Sequence, residues 1–235
     1  MTADETDDPT AHRSDTSNSR RGFLAGTGAL GALALGSAFS TPVLASDEHG
    51  DEDASGDDEF EDDVAVLNYA RTLEALEYRF YEAALDNIDE DDLACYGPFE
   101  EADDSVSDHV YEALEVVRDH EETHFETLGA VVEDLGGEPV EEPEFDFGSA
   151  VEEPDEFVAT AVVLEDTGVG AYAGAAPSIE NEDVVTSALS IHSVEARHAS
   201  FLRVLDMQVP FPNAFDEALS RSEVLDRASQ FIVEE

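Results

Sequence analysis

The chain has 235 residues, 59 of them Asp or Glu, and its ten basic residues are all Arg, for a formal net charge of −49. A field of that sign repels polyanions, which argues against nucleic-acid binding through phosphates and against docking on an anionic membrane. With 42% hydrophobic residues the chain still holds enough apolar material for one sizeable core, unlike a disordered acidic chain.

The first segment reads as an address. Ser19-Arg20-Arg21-Gly22-Phe23-Leu24 is a twin-arginine pair leading into a Gly/Ala-rich apolar run that ends in Val43-Leu44-Ala45. These are the charged region, apolar region and small-residue cleavage site of an export signal. The run is just long enough to span a bilayer, but its many Gly and Ala residues make a poor anchor and the paired arginines favour export. Residues 1–45 are therefore expected to be a twin-arginine signal peptide, and the chain to be exported to the cell surface or beyond it. Residues 46–63 are almost wholly Asp, Glu, Gly and Ser, and are expected to form an acidic disordered spacer. The Lys-free, acid-saturated composition resembles that of proteins from extreme halophiles, where salt screens the self-repulsion.

Residues 64–235 are expected to form the folded domain. Four segments carry a helical period, at about 64–85, 107–135, 155–175 and 181–206. Gly136-Gly137 closes the second, Pro154 and Pro177 bracket the third, and Asn181 caps the fourth. A fifth, short amphipathic helix at about 221–231 is opened by Ser220-x-x-Glu223, a capping-box pattern. No segment reads as a strand. Cys95 stands alone, so neither an intrachain disulfide nor a Cys-based metal cluster is expected.

On helical wheels the apolar stripes contain residues that do not belong in a core. In the second helix Glu121 and His124 interrupt the stripe of Val106, Val110, Val117, Leu128 and Leu135. In the fourth, Glu195 and His198 lie among Val184, Ala188, Ile191, Leu202 and Leu205. Glu165 lies on the third stripe with Phe157, Ala161, Leu164, Gly168 and Tyr172. In the first, Glu77 falls among Val66, Ala70, Leu73, Phe80 and Ala84, with Glu74 toward the edge near Tyr81. A carboxylate in a core is costly unless it is paired or bound to metal, and the few Arg residues cannot neutralise this set. Two Glu-x-x-His pairs and two further carboxylates suit iron or manganese. Two divalent ions balance four carboxylates.

This pattern of donors resembles the ferritin-like superfamily, and more closely its secreted, desiccation-related branch. The matching phrases are Leu73-Glu74-Ala75-Leu76-Glu77-Tyr78-Arg79-Phe80-Tyr81, His120-Glu121-Glu122-Thr123-His124, Leu164-Glu165-Asp166-Thr167-Gly168-Val169 and Val194-Glu195-Ala196-Arg197-His198. The resemblance implies an all-α fold: an antiparallel four-helix bundle with a long crossover between its second and third helices and a short C-terminal helix. It further implies a dinuclear iron or manganese centre that oxidises metal with oxygen or peroxide, held by Glu121, His124, Glu165, Glu195 and His198 with Glu74 or Glu77.

The choice between Glu74 and Glu77 stays open: the wheel favours Glu77, and a Tyr seven residues on favours Glu74. His120-Glu121-x-x-His124 also reads as a zinc-protease motif, but His120 lies off the stripe and no third ligand is evident. A metal-free polar core in a scaffold or envelope stress protein is the competing reading. Tyr81 and Tyr172 are expected to be packing residues, and His109 and His192 to be exposed. A monomer or homodimer, rather than a storage cage, is the expected assembly.

Overall fold

The computed structural model describes residues 60–94, 96 and 104–233. The expected export signal, the spacer as far as residue 59, and Cys95 lie outside the described residues.

The first helix, α1 (Asp63–Asn87), begins where Asp62 adopts extended backbone and its carboxylate accepts from the Ala65 N–H at 2.9 Å. It ends where Ile88 returns to extended backbone. One turn-length helix follows, α2 (Glu90–Ala94), fixed at its start by reciprocal bonds between Asp89 and Asp92. Next come α3 (Asp104–Asp134), α4 (Pro154–Ala175), α5 (Glu182–Leu205) and α6 (Arg221–Ala228). Pro154 opens α4 at a position where its missing N–H is no loss. Asn181 caps α5 and the Ser220/Glu223 box caps α6. The four long helices lie within three residues of the ranges read from periodicity. The fifth ends as α-helix at Ala228 and continues only as a 3-10 turn, Ser229–Phe231.

The architecture is an all-α antiparallel bundle in which α1 packs on α3 and α4 on α5. Tyr111 near the start of α3 donates to the carbonyl of Leu85 at the end of α1. At the opposite end, Gly137 presses against Val64, so that a Cβ there would lie 2.6 Å from that side chain. Two apolar clusters fill the interior. One contains Phe80, Tyr81, Leu114, Phe157 and Leu202, the other Leu67, Leu128, Val132, Tyr172 and Ile191. Val106 and Leu135, the two ends of the stripe read on α3, are 44% and 39% exposed. Val106 lies more than a turn before Tyr111, which meets the last turn of α1, and Leu135 lies just past the end of α3 at Asp134.

The crossover from α3 to α4 runs along α1 and is strapped to it. Asn68 donates to the carbonyl of Glu138 and accepts from the N–H of Val140. Arg71 donates to the Val140 carbonyl, and Arg79 grips Glu142 through two bonds of 2.6 and 3.1 Å. Phe145 then pairs with Ile232 in an isolated antiparallel bridge, the single β-type contact among the described residues. The segment that leads into α6 lies against α4 at backbone distance. Leu219 N–H donates to the Gly170 carbonyl at 3.0 Å, and a Cβ on Gly174 would fall 1.8 Å from the Leu219 carbonyl oxygen. No described helix is long and apolar enough to cross a membrane.

Candidate metal centre

Between the two apolar clusters each long helix brings carboxylate or imidazole groups to one level of the bundle. Glu74, Glu77, Glu121, His124, Glu165, Glu195 and His198 are all buried there, none more than 9% exposed. Their atoms form two donor groups: Glu74, Glu121, His124 and Glu195, and Glu121, Glu165, Glu195 and His198. In each group one donor atom per residue lies within 4.8 Å of all the others. Glu121 and Glu195 belong to both.

The distances show how the sharing works. His124 Nδ1 lies 3.2 Å from Glu74 Oε2, 3.2 Å from Glu121 Oε2 and 3.1 Å from Glu195 Oε1. His198 Nδ1 lies 2.7 Å from Glu121 Oε1 and 3.4 Å from Glu165 Oε2. Glu121 thus turns one oxygen toward each histidine. The outer carboxylates are held from behind by tyrosines. Tyr81 of α1 donates to Glu165 Oε1 of α4 at 2.6 Å, and Tyr172 of α4 donates to Glu74 Oε1 of α1 at 2.5 Å. Both rings are buried, but their hydroxyls do more than the packing expected of them.

Glu77 stands in neither donor group. It lies against Gly168, where a Cβ would approach its Oε1 to 3.0 Å and Glu195 Oε2 to 3.3 Å. Glu77 forms no hydrogen bond or ion pair among the described residues. Of the two candidates on α1, the geometry places Glu74, not Glu77, beside His124.

Several buried atoms of this cluster have no hydrogen bond: Glu121 Oε1, Glu165 Oε2, both oxygens of Glu195, and His198 Nδ1. The separation of His198 Nδ1 from Glu121 Oε1 is short enough for such a bond, but its alignment is not. A buried polar atom left unsatisfied costs about 1–3 kcal/mol, so this cluster is incomplete with protein atoms alone. Its donors have the hard and borderline chemistry of iron or manganese ligands, and two divalent charges balance Glu74, Glu121, Glu165 and Glu195. The residues fit such a centre.

Without a cation, Glu121, Glu195 and Glu77 hold protons more readily than free carboxyls do. Burial, opposed by the adjacent imidazoles of His124 and His198, pushes Glu121 up to about 7. Burial and the charges of Glu121 and Glu74 push Glu195 well above the usual carboxylate range. Burial and the neighbouring Glu195, Glu165, Glu121 and Glu74 do the same to Glu77. For His124 burial opposes protonation, but the adjacent carboxylates of Glu121, Glu195 and Glu74 outweigh it and raise the group to about 12. His198 is raised to about 10 by Glu121 and Glu165 against the same penalty.

His120, set aside on the sequence because it lies off the apolar stripe and no third zinc ligand is evident, is exposed. Its Nδ1 nevertheless lies 3.0 Å from His198 Nε2, with the two rings near parallel. His120 joins neither donor group, so the His-Glu-x-x-His phrase does not form a zinc pair in this fold. Wheel geometry had no way to show a contact that crosses from α3 to α5. His109 is exposed, as expected, whereas His192 is half-buried with its Nε2 enclosed, because that face of α5 is covered.

A family model described as a ferritin-like domain matches residues 62–208, a span that contains all seven of these residues. Comparison with curated proteins finds no match.

Proposed function

The chain belongs to the ferritin-like domain family, and from that premise we propose that its buried cluster holds a dinuclear iron or manganese centre. The observation that carries this reading is the set of buried carboxylate oxygens without hydrogen bonds, gathered with two imidazoles into two groups that share Glu121 and Glu195. Glu121 and Glu195, common to both donor groups, would be shared between the two ions. Glu74 and His124 would help hold one ion, Glu165 and His198 the other. When bound, such an ion pair supplies oxidation of metal by oxygen or peroxide.

The chain's own groups prepare that chemistry. Tyr81 and Tyr172 each occupy one oxygen of an outer carboxylate and leave the other turned inward. The apolar clusters above and below exclude water, which strengthens every electrostatic contact at this level. Loading requires the protons on Glu121, Glu195 and the two imidazoles to leave. We further propose that the chain is an exported protein of the secreted, desiccation-related branch. It follows a twin-arginine signal with an acidic spacer, acts against oxidative or desiccation stress in high salt, and assembles as a monomer or homodimer without nucleic-acid partners. The support for this part is the sequence of residues 1–63 and the charge.

The second reading is a metal-free scaffold, and the ion-pairing of His124 and His198 with their carboxylates is what favours it. Loading the folded protein with Fe(II) or Mn(II) under anaerobic conditions, then counting metal per chain by elemental analysis, decides between them. About two ions per chain are expected by the donor count, with loss of both in the Glu121→Ala/Glu195→Ala double variant. Less than half an ion per chain, unchanged in that variant, would establish the scaffold.

A further inference from the structure

The His-Glu-x-x-His phrase leaves one residue without a role in the centre, and its position supplies one. His198 has two ring nitrogens with different surroundings. Nδ1 faces Glu121 Oε1 at 2.7 Å and Glu165 Oε2 at 3.4 Å, inside the second donor group. Nε2 faces His120 Nδ1 at 3.0 Å. The two rings lie 17° from parallel with centroids 5.3 Å apart, and the His124 ring stands 6.4 Å from each.

A neutral imidazole carries one ring proton, and a cation can bind only the nitrogen without it. At Nδ1 the proton would occupy the place where the carboxylates of the second group converge. At Nε2 it meets an acceptor, provided His120 carries its own proton on its far nitrogen. We propose that His120 is the positioning residue of His198: its Nδ1 accepts from His198 Nε2–H, fixing the tautomer and ring orientation that free His198 Nδ1 for the cation. The proposal rests on the dinuclear reading and adds a residue outside its ligand set.

The assignment is specific to one half of the centre. In the register of the two Glu-x-x-His pairs, His120 precedes Glu121 as Val194 precedes Glu195, and a valine has no acceptor. His124 has no such imidazole partner among the described residues. Outer-shell partners of ligating histidines typically account for about 10–100-fold in metal affinity, so that effect is expected at one ion only.

The test is competition of the full chain against a chromogenic chelator for Mn(II), comparing wild type with His120→Ala, His120→Asn and His120→Phe. Asn returns an acceptor near the position of Nδ1, and Phe keeps a ring without one. In Ala and Phe, one of two sites should weaken by about 10–100-fold, and Asn should recover most of that loss. Nitrogen NMR of the imidazoles in the metal-free protein gives an independent readout, because the His198 Nε2 proton should shift in Ala and Phe and return in Asn. Two undiminished sites in His120→Ala, or equal behaviour of Asn and Phe, would overturn the proposal. If Ala does not fold, the Asn–Phe pair carries the test. A wild-type chain that binds no Mn(II) or Fe(II) would instead remove the dinuclear reading and this proposal with it.

Discussion

The α1–α3 and α4–α5 pairs of the bundle repeat one another, and the repeat fails at two positions. On α1 Glu74 is followed seven residues later by Tyr81, and on α4 Glu165 is followed seven residues later by Tyr172. Each tyrosine reaches across to the other helix's glutamate. Each partner helix contributes Glu-x-x-His. The repeat fails where Glu77 on α1 faces Gly168 on α4, and where His120 on α3 corresponds to Val194 on α5. The shared plan makes two similar sites, and the departures make them unequal. A buried carboxyl takes the volume that a missing side chain leaves, and one histidine gains a partner that the other lacks.

The largest effect should separate shared from private ligands. Glu121→Ala is expected to abolish both ions, whereas Glu74→Ala and Glu165→Ala should each leave about one of two, given the two donor groups. Glu77→Gln should leave two. Metal counts per chain check all four, and loss of an ion in Glu77→Gln with none lost in Glu74→Ala would reverse the roles assigned to them.

The shared carboxylate also sets a pH dependence for the metal-free protein. Glu121 moves from 4.5 up to about 7 on folding, and Glu195 and Glu77 move the same way. Above the unfolded value the folded state therefore binds more protons, and stability falls as pH rises, at about 1.4 kcal/mol per pH unit for each such group. The raised histidines have the same sign: their contribution is complete below 6.5 and is lost as pH rises toward about 10 for His198 and about 12 for His124. Thermal melts with a chelator present should thus show a lower Tm at pH 7.5 than at pH 5.5, while added metal should stabilise more at the higher pH. A chelated protein that gains stability over that interval would contradict the cluster's protonation.

The repeat itself predicts near-equal costs for its two tyrosines. Tyr81→Phe and Tyr172→Phe each remove a donor from a buried carboxylate, a loss of about 1.5–3 kcal/mol, readable by denaturant unfolding. A cost confined to one of them would break the symmetry. Smaller again is Gly168→Ala, at about 1–3 kcal/mol of overpacking, because the new Cβ meets Glu77 Oε1 at 3.0 Å. Truncating the neighbour in Gly168→Ala/Glu77→Ala should recover part of that cost, a non-additivity expected of residues in contact.

The helices and the inward set were legible because a 3.6-residue period places each side chain on a face, and Glu121, His124, Glu165, Glu195 and His198 fall on apolar faces. Periodicity ran out wherever two helices had to be compared. Glu74 and Glu77 share a face and are both buried. Their difference comes from Tyr172 and Gly168, which belong to α4. His120 lay off the stripe, and its contact with His198 is made across to α5. The crossover's length was readable, but its straps to Asn68, Arg71 and Arg79 depend on a register that no local pattern encodes. The ends of the α3 stripe looked buried because a wheel knows nothing of where its own helix or the neighbouring one stops.

Gly168, Gly170 and Gly174 give α4, the helix that carries Glu165, an unusually weak backbone, at about 1 kcal/mol per glycine relative to alanine. Two of them are covered by Leu219, beyond the 62–208 span of the family match. During synthesis that cover is made after all four long helices. The α1–α3 hairpin is therefore expected to become firm early and α4 late, so Glu165 and its half of the centre should be competent only once Leu219 is in place. Hydrogen exchange along α4 in a chain ended at Gln208 reads out that order.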